Sequence, residues 1–275
     1  MNNLILNNIL ETNENFEINK KEFISVSKII DNISNKFDKE KQSLKCFKKY
    51  FNDINSKYYQ MTQEQILEQW EEKSKIGKSN GSMLDEFIDF YIKTIYNNTA
   101  ETMHLMEIEN FLSNKVYYNN KNLFNKCLNF IKFYETYILK NNIQFIGNEL
   151  WMIDNIHKVR GRLDALFSYK NELLVIDWKQ TENITTDNKW DNLLGPMSIY
   201  SDCDLNKYTI QVYIYKFILK NIYKFNNNIE TRIIQLLDNS YKIYKPIIEY
   251  NDNMIIDIID YVKNKIAITN NGNND

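Results

Sequence analysis

Two periods divide this chain. From about residue 22 to 140, apolar residues recur at three- and four-residue spacing, the repeat of helices packed on one face. Thr62-Gln63-Glu64-Gln65 is a capping box that opens a helix carrying Ile66, Leu67 and Trp70. Asn80-Gly81 ends that helix, and a new one starts near Ser82 and runs through Phe87, Ile88, Phe90, Tyr91 and Ile92. Spacing at Phe111, Leu112, Val116 and Tyr117, then at Leu128, Ile131, Tyr134 and Ile138, extends the helical set. Residues 143–180 switch to strand chemistry, with strands over 157–167 and 172–180. A loop over 181–207 leads to a helix at 208–221, strands near 230–237 and 241–249, and a last helix near 252–266.

This order predicts an α/β (α+β) protein with a mixed central sheet flanked by helices and an N-terminal helical elaboration. The expected organisation is a helical region over 1–140, a sheet-bearing core over 141–267 and a disordered tail over 268–275. Residues 1–20 are polar and read as extended. There is no internal repeat.

The candidate chemistry sits on the two adjacent strands. A two-residue turn at Lys170-Asn171 would set Asp164 directly across from Asp177. Opposed residues on paired strands lie roughly 4.5–5.5 Å apart, so these carboxylates repel unless a divalent cation lies between them. On that reading Asp177→Asn should leave metal-free stability level or higher. Period-two alternation puts Asp177 and Lys179 on one face, and Ile176 and Trp178 on the other. A lysine beside two metal-binding carboxylates can position water and stabilise a charged phosphorus centre. Because Leu173–Ile176 is apolar enough to be central, Asp177 and Lys179 also read as a buried structural ion pair, and these residues alone leave the two readings level.

Composition narrows the partners. The chain has 275 residues, 43% hydrophobic, with net charge −2, which argues against coating long duplex DNA but not against a local channel. Only Arg160, Arg162 and Arg232 are arginines, against many lysines and asparagines, which points to an AT-rich coding sequence rather than a nucleic-acid signature. A guanidinium just before Asp164 can hold a phosphate; Arg162 is favoured for this over a plain surface arginine because it shares Asp164's face. No apolar run is long enough to span a membrane, and the N-terminus carries no secretory or transit signal, so an intracellular, soluble protein is expected. Cys46, Cys127 and Cys203 are widely spaced and form neither a disulfide framework nor a Cys-x-x-Cys zinc motif.

Gly161-Arg162-Leu163-Asp164, then Val175-Ile176-Asp177-Trp178-Lys179, then Gln211-Val212-Tyr213-Ile214-Tyr215 resembles the PD-(D/E)xK nuclease superfamily. The likeness is to its RecB-like branch, which includes phage-type exonucleases and the mitochondrial genome-maintenance exonuclease. It is strong over about 145–220 and weaker upstream, where Ser25–Ile30, Phe37-Asp38 and Gly81–Leu84 resemble N-terminal parts of phage and large-virus members. It implies a restriction-endonuclease-like core that hydrolyses DNA with Mg²⁺ or Mn²⁺, as an exonuclease or, alternatively, as an endonuclease. A catalytically silent DNA-binding protein is the third reading. Asp164, Asp177 and Lys179 are the implied catalytic residues, with Asp164, Asp177 and the carbonyl of Ile176 or Trp178 on the metal. Gln211 would orient these groups, and Tyr215 would contact them or the DNA backbone. Glu149, on the first strand expected for the same sheet, is a further metal ligand or else a salt-bridge partner. Asp85 stands where many relatives carry a metal-binding histidine, and Asp89 where they carry a glutamate; the likeness implies Asp85 as a metal ligand, slightly favoured over the capping box that Ser82-x-x-Asp85 also resembles. The helices before 140 would form an arch admitting single strands or frayed ends. The four cysteines that hold an iron–sulfur cluster in some relatives are missing, so none is expected.

Overall fold

The computed structural model describes Ile9, residues 22–97 and residues 101–271. In chain order the elements are β1 (Ile24–Ser25), α1 (Val26–Ile33), α2 (Lys39–Tyr50), α3 (Gln63–Asn97), α4 (Glu101–Leu112), α5 (Lys115–Asn119) and α6 (Lys121–Phe133). A π-helical turn (Tyr134–Leu139) leads into β2 (Gln144–Asp154), β3 (Val159–Tyr169) and β4 (Glu172–Lys179). A short 3-10 turn (Gly195–Met197), α7 (Asp204–Asn221), β5 (Ile229–Leu236), β6 (Tyr241–Tyr244) and α8 (Asp252–Asn271) complete the chain. The contacts divide it into two units, residues 1–35 with 128–275, and residues 36–127.

In the helical unit, the capping box at Thr62 forms reciprocally. Gln65 N donates to Thr62 Oγ1 at 3.3 Å, and Thr62 N donates to Gln65 Oε1 at 2.8 Å. The break expected at Asn80-Gly81 does not occur: α3 runs unbroken for 35 residues. Ile66 and Leu84 are eighteen positions apart, a whole number of turns at 3.6 residues per turn. Both are buried, and Phe87, Ile88, Tyr91 and Ile92 continue the seam beyond them. A mid-helix glycine costs only about 1 kcal/mol, which the continuous seam outweighs. Phe90 stacks on Phe111 of α4, with ring centroids 4.3 Å apart. Ser82 lies inside α3 and donates back to Lys78 O at 3.4 Å, so the capping-box alternative at Ser82 is overturned.

The other unit is built on a six-stranded mixed sheet in the order β1-β3-β4-β5-β6, with β2 also paired to β3. The β3–β4 hairpin turns on Lys170 (φ 47°) and Asn171 (φ 68°), both left-handed, with Tyr169 paired to Glu172. Two left-handed central residues match the twist of antiparallel strands. Leu173 and Val175 of β4 enter the core with Ile210, Ile214 and Phe217 of α7 and Ile255 and Ile259 of α8. Trp178 instead meets Phe130 and Phe133 at 5.3 and 5.6 Å, as its alternation requires. The protein is thus α+β, a mixed sheet flanked by helices.

Four expectations change in detail. α7 begins at Asp204 and is buried almost all round rather than amphipathic, because it lies between the sheet and α8. β6 ends at Tyr244, and α8 continues to Asn271, where a tail was expected from 268. Residues 272–275 and, apart from Ile9, residues 1–21 lie outside the described residues. Residues 22–35 group with the sheet rather than with the helical region, because β1 pairs with β3.

That last pairing shapes the site. β2 runs along one edge of β3, including Met152↔Gly161, Trp151↔Arg162 and Leu150↔Leu163. The other edge is shared: β1 pairs there at Val159 and Arg160, and β4 only from Ala165 to Tyr169. Between them residues 161–164 have no strand partner on that edge, so the sheet forks. The backbone groups left over must find side chains. Tyr215 of α7 donates its hydroxyl to Arg162 O at 2.9 Å. Asp164 Oδ2 accepts from Trp178 N at 2.8 Å, where a strand carbonyl would otherwise stand.

Gly161 is the residue that lets α1 and α7 close on this fork. A Cβ there would lie 2.6 Å from both Tyr215 Cε1 and Val26 Cγ2. Gly161→Ala should cost about 2 kcal/mol in urea unfolding, in the range of overpacked cores. An unchanged midpoint would show that Tyr215 and Val26 move aside freely.

Candidate active site

The fork gathers the predicted residues from three elements. Asp177, fully buried on β4, lies 2.6 Å from Lys179 Nζ through Oδ2 and accepts from Gln211 Nε2 at 2.8 Å through Oδ1. Gln211 Oε1 in turn accepts from Lys179 Nζ at 3.3 Å. The spacing of four in α7 thus places Gln211 on the carboxylate–lysine pair and Tyr215 on the β3 backbone. The strand pairing stops at Ala165↔Ile176, and Asp164 and Asp177 are the next residues along. Asp164 is half-buried at the mouth of the fork, tied to β4 through Trp178 N.

The charge balance here is unusual. Lys179 is held above its ordinary range: burial pulls it down as the largest single influence, but Asp177 and Asp164 together pull it further up. Its ammonium also sits 4.6 Å from the Tyr208 ring centroid. The Tyr215 hydroxyl is pushed far up, first by burial and then by Asp177 and Asp164, so it stays a neutral donor.

The remaining candidates are placed less centrally. Glu149 falls between the pairs Asn148↔Ala165 and Leu150↔Leu163, level with Asp164 on β2, with left-handed backbone (φ 53°). Its Oε2 pairs with Arg162 Nε at 2.6 Å, so Arg162, the favoured phosphate-holding arginine, already has a carboxylate partner. Ile176 is wholly buried, leaving its backbone carbonyl as the only donor it can offer. Asp85 lies on an exposed position within α3, in the helical unit.

The donors suit a hard divalent cation. Asp177 Oδ2 is buried and, although charge-paired with Lys179, accepts no hydrogen bond of good geometry. Among the described residues no three His, Cys, Asp or Glu side chains converge as a metal cage. Mg²⁺ does not need one: it is commonly held by one or two carboxylates plus water and substrate phosphates.

Several contributors were not singled out in the sequence. Tyr208 covers Lys179, and Ser25, Ser27 and Trp151 line the cleft beside the fork. The Ser25–Ile30 likeness was the only sequence signal for the two serines, because the β1–β3 pairing that delivers them spans over a hundred residues.

Asp177 is better described as half of a buried ion pair than as one of two repelling carboxylates. In metal-free buffer Asp177→Asn should therefore lower stability, by up to about 3 kcal/mol, rather than leave it level. The raised Lys179 adds a pH signature. A lysine raised on folding contributes stability that is whole below its unfolded pKa of about 10.4 and is lost as pH climbs through the folded value. Unfolding free energy should fall above about pH 10 more steeply in the wild type than in Lys179→Met. Parallel curves would show that the pair does not stabilise the fold.

No protein-family profile and no curated protein matches this chain. Among solved structures, the chain is similar to the protein called "Putative exonuclease" from Eubacterium rectale, with 13% identity, TM-score 0.43, and coverage of 92% of this chain and 83% of the other. It is also similar to SSO0001, with 10% identity, TM-score 0.34, and coverage of 94% and 84%.

Proposed function

We propose that this chain is a metal-dependent DNA nuclease with a RecB-like PD-(D/E)xK site, working as an exonuclease on DNA ends or single strands in replication, recombination or repair. The observation that carries this reading is the Asp177–Lys179–Gln211 knot beside Asp164 at the open fork. A purely structural role fits it poorly. A buried ion pair rarely stabilises more than apolar residues of the same shape, and this one has a second carboxylate beside it at a gap in the sheet.

In the proposed reaction Asp164 and Asp177 would hold Mg²⁺ or Mn²⁺, with the Ile176 carbonyl and Glu149 as further donors. When bound, the cation polarises the scissile phosphate and the attacking water. Lys179, with its raised pKa, stays protonated at neutral pH, so it donates to water or phosphate oxygen and stabilises developing negative charge instead of taking a proton. Gln211 fixes Asp177 and Lys179 relative to each other through its two ends. Tyr215 holds the fork open by occupying Arg162 O.

The test is a time course on end-labelled single-stranded, duplex and covalently closed circular DNA with added Mg²⁺. Linear DNA should be degraded, closed circles spared and EDTA fully inhibitory. Asp164→Asn and Asp177→Asn should lose turnover by roughly a thousand-fold. Lys179→Ala should lose turnover while still binding labelled DNA. Wild-type cleavage by Asp177→Asn would sink the site assignment, and rapid nicking of closed circles would make the enzyme an endonuclease.

A further inference from the structure

Three side chains lie against the Lys179 ammonium. Asp177 Oδ2 stands at 2.6 Å, Gln211 Oε1 at 3.3 Å and the Tyr208 ring centroid at 4.6 Å. The first two belong to the carboxylate–lysine–amide knot. The third lies outside the sequence motifs, and its place in the fold gives it a task.

Tyr208 reaches the ammonium from α7. It stands three positions before Gln211 and seven before Tyr215, so the three side chains share one helix face. Each meets a different part of the fork: Tyr208 meets Lys179, Gln211 meets Asp177 and Tyr215 meets Arg162 O. The Tyr208 hydroxyl makes no hydrogen bond among the described residues, so what the side chain offers Lys179 is its ring. An aromatic face attracts an ammonium through its quadrupole, and more strongly where water is kept away. Lys179 meets that condition, with only 19% of its side chain exposed.

The ring differs from the other two partners. Asp177 is one of the carboxylates that would hold the metal, and a carboxylate shared with a divalent cation attracts an ammonium less. Gln211 is bonded to the same Asp177, so its amide follows the carboxylate. The Tyr208 ring carries no charge for a cation to compete for. Without it, an ammonium on a flexible four-carbon stem would spread over many rotamers once Asp177 served the metal.

We propose that Tyr208 is a positioning residue for the reaction, in which the face of its ring, not its hydroxyl, keeps the Lys179 ammonium at the fork while Asp177 serves the metal. This rests on the nuclease reading above and adds to it a residue that acts through Lys179. A tyrosine that only fills the space beside Lys179 is the rival account, and electron density in the ring separates the two.

The full-length protein is made with phenylalanine at position 208, then with phenylalanines bearing one, two and three ring fluorines. Fluorine drains the ring face of electron density with little change in size. Single-turnover cleavage of labelled single-stranded DNA with Mg²⁺ should stay within about two-fold of wild type in Tyr208→Phe and then fall stepwise, roughly ten-fold across the fluorinated series. Tyr208→Leu should lose about as much, with DNA affinity in EDTA unchanged. A flat fluorinated series overturns the proposal. Equal losses in Tyr208→Phe and Tyr208→Leu would assign the role to the hydroxyl and also overturn it.

A second readout needs no cleavage. In EDTA the ring current of Tyr208 should move the Cε protons of Lys179 upfield of the other lysines in a ¹³C-lysine NMR spectrum, the signal being assigned by its absence in Lys179→Met. The shift should persist in Tyr208→Phe and vanish in Tyr208→Leu. Should Tyr208→Leu fail to fold, the fluorinated series and the wild-type shift decide. An unshifted Lys179 in the wild type overturns the proposal. A wild type that never cuts, with the shift intact, rejects the nuclease reading and the reaction role with it, whereas cleavage with a flat series rejects the role of Tyr208 alone.

Discussion

The site depends on one gap in the sheet. β3 has β2 along one edge, while β1 and β4 share the other without meeting. Buried backbone N–H and C=O groups cannot be left unpaired, so side chains must stand in for the missing strand. Tyr215 answers the Arg162 carbonyl and Asp164 answers the Trp178 amide. The same requirement that completes the sheet thereby fixes a carboxylate and a tyrosine at its centre. Gly161 is needed because two helices converge on a stretch of β3 that lacks a strand partner on one edge.

Electrostatics then sets the character of the gap. Asp177 is fully buried, and its neighbours are a lysine and an amide rather than solvent. Burial alone would drive Lys179 toward neutrality, and two carboxylates reverse that. This balance keeps the ammonium charged beside the gap. Gln211 matters because an amide presents both a donor and an acceptor, so one side chain can bridge the carboxylate and the ammonium.

The interplay of local preference and packing is plain in α3. Asn80-Gly81 is a sound stop signal, yet the helix passes through it because its buried seam stays in phase from Ile66 to Leu84. α7 shows the opposite failure of a local pattern. Its sequence reads as one apolar face, but the sheet on one side and α8 on another bury nearly all of it.

The sequence by itself determined what depends on neighbours along the chain. Period-two alternation set Asp177 and Lys179 against Trp178, and the Lys170-Asn171 turn brought β3 back beside β4 at the register that aligns Asp164 with Asp177. A spacing of four placed Gln211 and Tyr215 together. What only the tertiary structure decided was everything delivered by distant pairing. β1 is two residues long, too short to leave a periodic signal, yet it brings the start of α1 beside Arg160. Arg162 was the favoured arginine in the sequence, and only the fold revealed that Glu149 already holds it. The reason is physical: alternation and helical spacing are set by backbone geometry within a few residues, whereas the partner of a charge is set by which strands the whole chain brings together.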